Sequence, residues 1–288
     1  MHEPLDLVHT VRQALAATPM YAATVRRIVP RSREAGDVGV DFPGERPVFV
    51  VGSPRSGTSF LAGSLGRLPG FIDLGEVGPL KATLPRLASL PEADAAEGLR
   101  RTIERIRRLG LARRLRAIEQ TPETSFIVPA VARAYPRAAI IHIVRDGRDV
   151  VCSLLERGWL GAARQDSDDV GAPYGVHARF WVEPDSAEEF SRASEARRAA
   201  WAWRRYVTAA SSVPERTLEI RYEAMVTDPR GVGARIAEHI ESDPELVAGA
   251  LSDVFSRSVG RWRRDLTPDQ LADVEREAGP LLRELGYA

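Results

Sequence analysis

The chain has 288 residues, and its 40 cationic side chains balance 40 anionic ones, so the formal net charge is zero. A neutral chain lacks the overall field that grips a nucleic-acid backbone, and any anion site must therefore be local. The single cysteine, Cys152, excludes a disulfide framework and a multi-cysteine metal site. Only one cation, Lys81, is a lysine, which nearly excludes mechanisms built on a Walker lysine or a Schiff base.

The sequence shows no segment for membrane insertion or export. No run approaches the roughly 18 apolar residues of a membrane span. The N-terminus, with His2, Glu3 and Asp6, lacks the apolar stretch of a secretory signal. We therefore expect a cytoplasmic protein with no membrane span and no nucleic-acid partner.

Helical periodicity at the N-terminus gives way to a buried strand. Apolar positions predict one or two helices in residues 1–30, and a polar stretch over residues 31–46 links them onward. Residues 47–51 are continuously apolar, as expected of a strand buried on both faces of a parallel sheet. This strand leads into a glycine-punctuated loop at 52–59 and a helix beginning at Phe60.

Strands and helices alternate through the rest of the chain. The other predicted elements are helices at 99–118, 126–135, 150–155 and 191–212, strands at 138–144 and 217–221, and helices to the end. The alternation predicts an α/β fold, a three-layer sandwich around a central, mostly parallel sheet, with extra N- and C-terminal helices. We expect one domain over 1–288, with 1–45 as a helical extension and linker and 46–288 as the core.

Residues 157–190 are too long and irregular for a simple connection, and such loops usually serve as lids or binding loops. Tyr174, Phe180 and Trp181 slightly favour an aromatic or apolar ligand there. The candidate polar contacts of the loop are His177 and Asp185.

The loop after the first strand has the form of an anion site. Gly52 and Gly57 have the spacing of a Walker A loop, with Thr58 where the lysine should stand and Arg55 inside the loop. Glycines let backbone N–H groups turn inward, and the following helix N-terminus adds partial positive charge. The loop therefore predicts a phosphate-bearing ligand other than an ordinary Mg-triphosphate, and a tight turn without a ligand is the disfavoured alternative.

These residues are similar to a known family. Residues 54–59 resemble the 5′-phosphosulfate loop of sulfotransferases that use 3′-phosphoadenosine-5′-phosphosulfate (PAPS), especially the bacterial type related to tyrosylprotein sulfotransferases. Arg145 and Ser153 match the pair that holds the 3′-phosphate in that family, and residues 146–149 look like its Arg-Asp-x-Arg-Asp run.

Weaker matches extend the resemblance over residues 46–288. Tyr222 matches the tyrosine near the adenine, and residues 260–262 resemble the segment that closes over the co-substrate. The resemblance implies PAPS as co-substrate, 3′,5′-adenosine bisphosphate (PAP) as product, and no metal. The implied nucleotide-binding residues are Arg55, Ser56, Gly57, Thr58, Ser59, Arg145, Ser153, Tyr222 and Arg261.

Sulfuryl transfer needs charge stabilisation and a base. Arg55 is suited to stabilise the leaving phosphate oxygen. Glu76 is the candidate base, because its segment resembles the Gly-Glu element that carries the catalytic glutamate in the family; an exposed loop carboxylate is the alternative. His142 sits inside an apolar run and is expected to be a core or edge residue. Cys152 is expected to be a buried thiol, and Trp201 and Trp203 are expected to pack.

Two features leave alternatives open. Residues 119–122 resemble the family's Glu-Lys-Thr-Pro element, but Gln120 replaces the lysine that points toward the transferring group. Either Arg55 or another arginine then carries more of the stabilisation, or the enzyme is degenerate. The arginine-rich segment 99–118 is expected to be a helix or helical hairpin, broken at Gly110, with a solvated basic face; an acidic acceptor, a partner or nucleic acid is its alternative use.

The preferred hypothesis is a sulfotransferase that acts on a hydroxyl, and less readily on an amine, of a small molecule or sugar, with a peptide tyrosine as an alternative acceptor. The acceptor is expected to enter between the Glu76 segment and the 157–190 loop. The rivals are a P-loop kinase or NTPase, with Asp146 in the place of a Walker B acid, and a catalytically lapsed nucleotide-binding or scaffold protein. The oligomeric state is left open, with a homodimer as one option.

Overall fold

Five parallel strands form the sheet in the computed structural model, which describes residues 7–34, 43–160, 180–254 and 256–287. Within those ranges the strand order is β2-β3-β1-β4-β5. The strands are β1 (Val48–Val51), β2 (Phe71–Asp73), β3 (Arg116–Glu119), β4 (Ala139–Val144) and β5 (Thr217–Arg221). Because all strands run the same way, their carboxyl ends meet at one edge, where loops can share a site.

Helices connect and cover the strands. The N-terminal half contains α1 (Leu7–Glu34), α2 (Thr58–Leu65), α3 (Gly78–Ser89), α4 (Glu92–Leu109), α5 (Val128–Ala134) and α6 (Gly147–Glu156). The C-terminal half contains α7 (Ala187–Arg192), α8 (Glu195–Ala210), α9 (Tyr222–Thr227), α10 (Pro229–Ile240), α11 (Pro244–Ala250), α12 (Trp262–Asp265) and α13 (Pro268–Glu284). Short 3₁₀ turns lie at Pro43–Glu45, Pro122–Ile127, Pro184–Ser186, Pro214–Arg216 and Ser256–Ser258.

The predicted sandwich is confirmed, because the side chains of β1 alternate between two helical layers. Phe49 and Val51 face one layer, which includes α3, α4 and α5, whereas Val48 and Val50 face the other, which includes α2, α10 and α11. All four side chains are fully buried, as the alternation of a strand between two layers requires. A third cluster joins α6, α8 and α13 around Trp203, which packs as predicted.

The helical segment predicted at 99–118 is broken at Gly110 as expected, but the prediction of helix beyond that break is wrong. The helix α4 ends at Leu109, the backbone turns through Leu111 with a φ of 61°, and the chain enters strand β3 at Arg116. The solvated basic face is also only partly present, because Arg107 and Arg116 are buried. Their guanidinium groups donate to backbone carbonyls, including those of Leu115 and Ile240, whereas Arg107 Nε is buried with no hydrogen-bond partner in the described part of the chain.

The boundary of the N-terminal helix also differs from the expectation. One helix continues to Glu34, so residues 31–34 are helical where a linker was predicted. Ile28 of this helix is fully buried in the layer formed by α3, α4 and α5. Among the described residues, no helix is both long and apolar enough to cross a bilayer.

His142 is a core residue, as predicted, and it makes the stability of the fold pH-dependent. Burial lowers its pKa to about 4. The Glu219 carboxylate lies 3.9 Å from Nδ1, but it is half exposed to water and does not compensate the desolvation. The imidazole is therefore neutral in the fold, and it is protonated at higher pH in the unfolded chain than in the folded one.

We expect acid to weaken the fold through His142. A base with a depressed folded pKa contributes stability above pH 6.5 that is lost as the pH falls toward 4, by about 3 kcal/mol at most. Urea unfolding at pH 7 and 4.5 should show a smaller loss for His142→Gln than for the wild type. Equal losses in the two proteins would contradict this assignment.

Candidate active site

The loop between β1 and α2 is built around two glycines with positive φ, 141° at Gly52 and 103° at Gly57. A Cβ at Gly52 would lie 2.5 Å from the carbonyl oxygen of Ile143, and one at Gly57 would lie 2.7 Å from the ring of Tyr222. Glycine is therefore needed at both positions for the conformation and for close packing against β4 and α9. The loop turns directly into α2, which begins at Thr58, two residues earlier than predicted.

A cavity of about 540 Å³ opens at this loop, at the carboxyl ends of β1 and β4. It brings together every predicted nucleotide-binding residue except Ser56, which is buried within the loop itself. The predicted residues on the cavity wall are Arg55, Gly57, Thr58, Ser59, Arg145, Ser153, Tyr222 and Arg261.

Hydrogen bonds fix the two predicted phosphate-binding elements against each other. Arg55 Nε donates to Ser153 Oγ at 3.0 Å, and Arg145 Nη1 donates to the Arg55 carbonyl oxygen at 3.1 Å. The Ser56 hydroxyl and Arg145 Nε are buried and have no hydrogen-bond partner within the described ranges. Buried donors without a partner are costly, and Arg145 lines the cavity, so an anion there would lie beside one of them.

The electrostatics of the loop also favour an anion. Burial lowers the pKa of Arg55, and the positive charges of Arg157 and Arg145 lower it further. The carboxylates of Glu156 and Glu76 act in the opposite direction without reversing the shift. A negatively charged ligand beside Arg55 would relieve this repulsion between cations.

Tyr222 forms the floor of the cavity beside the loop. Its ring packs against Gly57, and the Arg145 guanidinium lies 4.8 Å from the ring centroid. The residue follows β5 directly at the start of α9, and the flat face of its ring is suited to pack against a base or a cation.

The C-terminal segment at 260–262 is docked onto α6 by Asp149. The carboxylate of Asp149 accepts hydrogen bonds from the backbone N–H groups of Gly260 at 2.7 Å and Trp262 at 3.0 Å. The Arg148 guanidinium lies 4.0 Å from a Trp262 ring centroid. These contacts place Arg261 on the cavity wall, where its guanidinium is paired with Glu156 and Asp265.

Sequence reasoning missed two further arginines on the wall, Arg257 and Arg264. Arg264 is paired with Asp265, whereas Arg257 is exposed and has no hydrogen-bond or ion-pair partner among the described residues. The density of arginines around Gly260 was the available signal. Arg257 adds an exposed cation to the cavity wall.

Glu76 lies in a turn that α1 holds in place. The turn follows β2 and contains Gly75, whose φ is 64°. Arg27 of α1 donates to the carbonyl oxygens of Leu74 and Glu76, and the hydroxyl of Thr121 accepts a hydrogen bond of 2.8 Å from the Val77 N–H. Helix α1 and the end of β3 therefore fix the backbone on both sides of the carboxylate.

A second cavity, of about 760 Å³, lies between α1 and this turn, and both Glu76 and Gln120 line it. Gln120 Oε1 accepts a hydrogen bond of 3.1 Å from Ser59 Oγ, and Ser59 lines the first cavity. The predicted base and the anion loop thus line two different cavities, and this hydrogen bond connects a residue of one lining to a residue of the other.

The one lysine of the chain ends beside Glu76. Lys81 on α3 is buried, with its Nζ 3.4 Å from Glu76 Oε2 and 4.0 Å from Glu123 Oε1. Glu123 is also buried and accepts a hydrogen bond of 2.8 Å from the Tyr206 hydroxyl. Burial raises the pKa of Glu123, and the Lys81 charge opposes that shift.

The remaining candidates lie elsewhere. Phe180 is buried in the third cluster and Asp185 is exposed on a 3₁₀ turn, and neither lines the two cavities. Tyr174 and His177 lie outside the described residues. Cys152 is buried as predicted, and burial raises its pKa to about 12, so it is a poor nucleophile.

Comparisons with known proteins agree with this architecture. A sequence model described as the sulfotransferase family matches residues 93–244. The chain is similar to a sulfotransferase domain from the curacin biosynthetic pathway, at 15% identity and a TM-score of 0.51, over 82% of this chain and 97% of that one. It is also similar to sulfotransferase STF9 from Mycobacterium avium, at 14% identity and a TM-score of 0.52, over 95% of this chain and 84% of that one. No curated protein sequence matches it. At these identities the two solved structures establish a shared fold alone.

Proposed function

Because the chain belongs to the sulfotransferase family, we propose that it transfers a sulfuryl group from PAPS to a hydroxyl of a small acceptor, with Glu76 as the base. The observation that carries this proposal is the convergence of the loop, Arg145, Ser153 and Tyr222 on one cavity. The donors fit a phosphate-bearing nucleotide, since Arg145 on the cavity wall keeps a buried Nε without a hydrogen-bond partner among the described residues.

Each element of the first cavity has a role in this proposal. PAPS supplies a sulfuryl group on an activated phosphate oxygen. The backbone N–H groups of the loop and the hydroxyls of Thr58 and Ser59 bind the 5′-phosphate. Arg145 and Ser153 bind the 3′-phosphate, where the fork of a guanidinium suits an oxyanion. Arg55 stabilises the negative charge that develops on the leaving phosphate oxygen.

The acceptor hydroxyl lies in the second cavity and loses its proton to Glu76. The carboxylate is about one-third exposed, so an acceptor can reach it, whereas Lys81 and Glu123 behind it are buried. Lys81 faces both carboxylates. When Glu76 takes up the proton, Glu123 still balances the charge of Lys81, and no unpaired buried cation results.

The kinase alternative has less support in the geometry. Asp146, the residue in the place of a Walker B acid, caps α6 by accepting from the Arg148 N–H, and its carboxylate is paired with the Arg148 guanidinium at 2.9 Å. The carboxylate of Asp146 is therefore already paired within the protein. The alternative of a catalytically lapsed protein rests on Gln120 in place of the family's lysine. An assay of sulfuryl transfer distinguishes it from an active enzyme.

Incubating the full chain with PAPS labelled in its sulfuryl group and a metabolite fraction tests the proposed function. We expect label in an acceptor and PAP in equal amount. A chain that binds PAP but labels no acceptor would instead be a nucleotide-binding protein.

A further inference from the structure

The cavity that holds Glu76 has α1 as one wall, and that wall is basic. Helix α1 contributes Arg26, Arg27 and Arg31 together with the small or apolar residues Met20 and Ala23. The helical extension expected from the sequence therefore borders the site at which the proposed acceptor reacts.

Only one of these arginines is used by the fold. Arg27 donates to the carbonyl oxygens of Leu74 and Glu76 and so holds the turn. Arg26 and Arg31 are exposed, and in the part of the chain that the structure describes neither has a hydrogen-bond or ion-pair partner. Two cations on the cavity wall are thus available to a ligand.

The acidic groups of the cavity do not cancel these charges. Asp73 accepts a hydrogen bond of 2.7 Å from the Gly75 N–H, and burial raises its pKa against the opposing charges of Arg27 and Arg31. Glu76 faces Lys81. The wall formed by α1 therefore keeps an excess of positive charge beside the carboxylate that would take the proton.

The described lining also contains no aromatic side chain. Of the aromatic residues expected to favour an apolar acceptor, Phe180 is buried in the third cluster and Trp181 packs edge-on against Phe126 at 5.3 Å between ring centroids. In the described lining, polar contacts and charge are the main means of recognition.

From the charge and lining of this cavity we infer that the acceptor is a hydroxyl compound that carries an anionic group, a carboxylate or a phosphate, bound by Arg26 and Arg31. The inference rests on the proposed function for the role of Glu76. Arg26 and Arg31 both line this cavity, so single variants show how much each contributes and the double variant removes both. Charge-assisted hydrogen bonds of this kind contribute about tenfold or more to affinity.

The test uses matched ligand pairs on the full chain, with and without PAP, by calorimetry at low ionic strength. The pairs are para-hydroxyphenylacetate with its amide, and glucuronate with glucose. We expect at least one acid to bind about tenfold more tightly than its neutral partner, and this ratio to fall to about one in the Arg26→Gln, Arg31→Gln double variant. The control Arg230→Gln removes an exposed arginine on α10, away from both cavities, and should leave the ratio unchanged.

Three results would overturn the inference: no acid binds, acid and neutral partner bind equally, or the preference survives in the double variant. PAP titration of the same samples separates this outcome from the proposed function. If the wild-type protein does not bind PAP, the nucleotide assignment is wrong. The ratio of acid to neutral affinity measured without PAP still decides the acceptor charge.

Discussion

Replacing Glu76 with glutamine is expected to lower kcat for sulfuryl transfer by about 10²–10⁴-fold, the range that a positioned general base contributes. Glutamine keeps the shape of the side chain but cannot take the acceptor proton. PAP affinity should change little, because Glu76 lines the second cavity and not the one with the nucleotide-binding residues.

Asp185→Asn is the matched control for this variant. Asp185 is an exposed carboxylate that lines neither described cavity, so its loss should leave kcat unchanged. Wild-type turnover in Glu76→Gln would exclude Glu76 as the base and return it to the exposed loop carboxylate that spacing alone suggested.

Replacing Arg55 with glycine is expected to lower kcat by about 10²–10³-fold, the effect of removing one preorganised donor to a developing oxyanion. The fold should tolerate the change. Arg55 has a φ of 71°, which glycine adopts without strain, and the substitution also removes a partly buried cation near Arg145 and Arg157.

Relief of strain and the larger entropy of the unfolded glycine chain are each about 1 kcal/mol and oppose one another, so stability should stay within about 1 kcal/mol of the wild type. Urea unfolding and single-turnover kinetics on the same preparation separate the two effects. An active Arg55→Gly protein would contradict the role given to this side chain, and an unfolded one would contradict the expected stability.

The meeting of the predicted residues on the first cavity could be predicted because their sequence signals are local and the sheet topology brings them together. The loop can be recognised because an apolar strand precedes it and two glycines lie within it. Arg145 follows a second apolar strand. Since β1 and β4 are parallel neighbours, the residues that follow them must meet at one sheet edge. Arg55 and Arg145 are 90 positions apart in the sequence, yet Arg145 Nη1 donates a hydrogen bond of 3.1 Å to the Arg55 carbonyl oxygen.

The surroundings of the second cavity were not predictable in the same way. Strands β2 and β3 are three and four residues long, too short to show a period, and β3 begins with an arginine that continues the pattern of α4. Without those strands, nothing in the sequence places Gln120 beside Ser59 or α1 beside Glu76.

The lone lysine, Lys81, shows most directly what could not be predicted from the sequence. From composition, Lys81 served only to exclude lysine mechanisms, and the sequence offered Gln120 as the place where a charge was missing. The position of Lys81 between Glu76 and Glu123 depends on the packing of α3 against the 3₁₀ turn at Pro122–Ile127. That tertiary contact leaves no local signal in the sequence.

The most direct test of the account is a titration of the full chain with PAP in the presence of a chelator, compared with ATP and Mg²⁺ and with adenosine 5′-monophosphate. The contacts that we propose for Arg145 and Ser153 with a 3′-phosphate predict that PAP binds without metal and about tenfold more tightly than the monophosphate. Tighter binding of ATP with Mg²⁺ than of PAP would contradict the account and favour a kinase or NTPase.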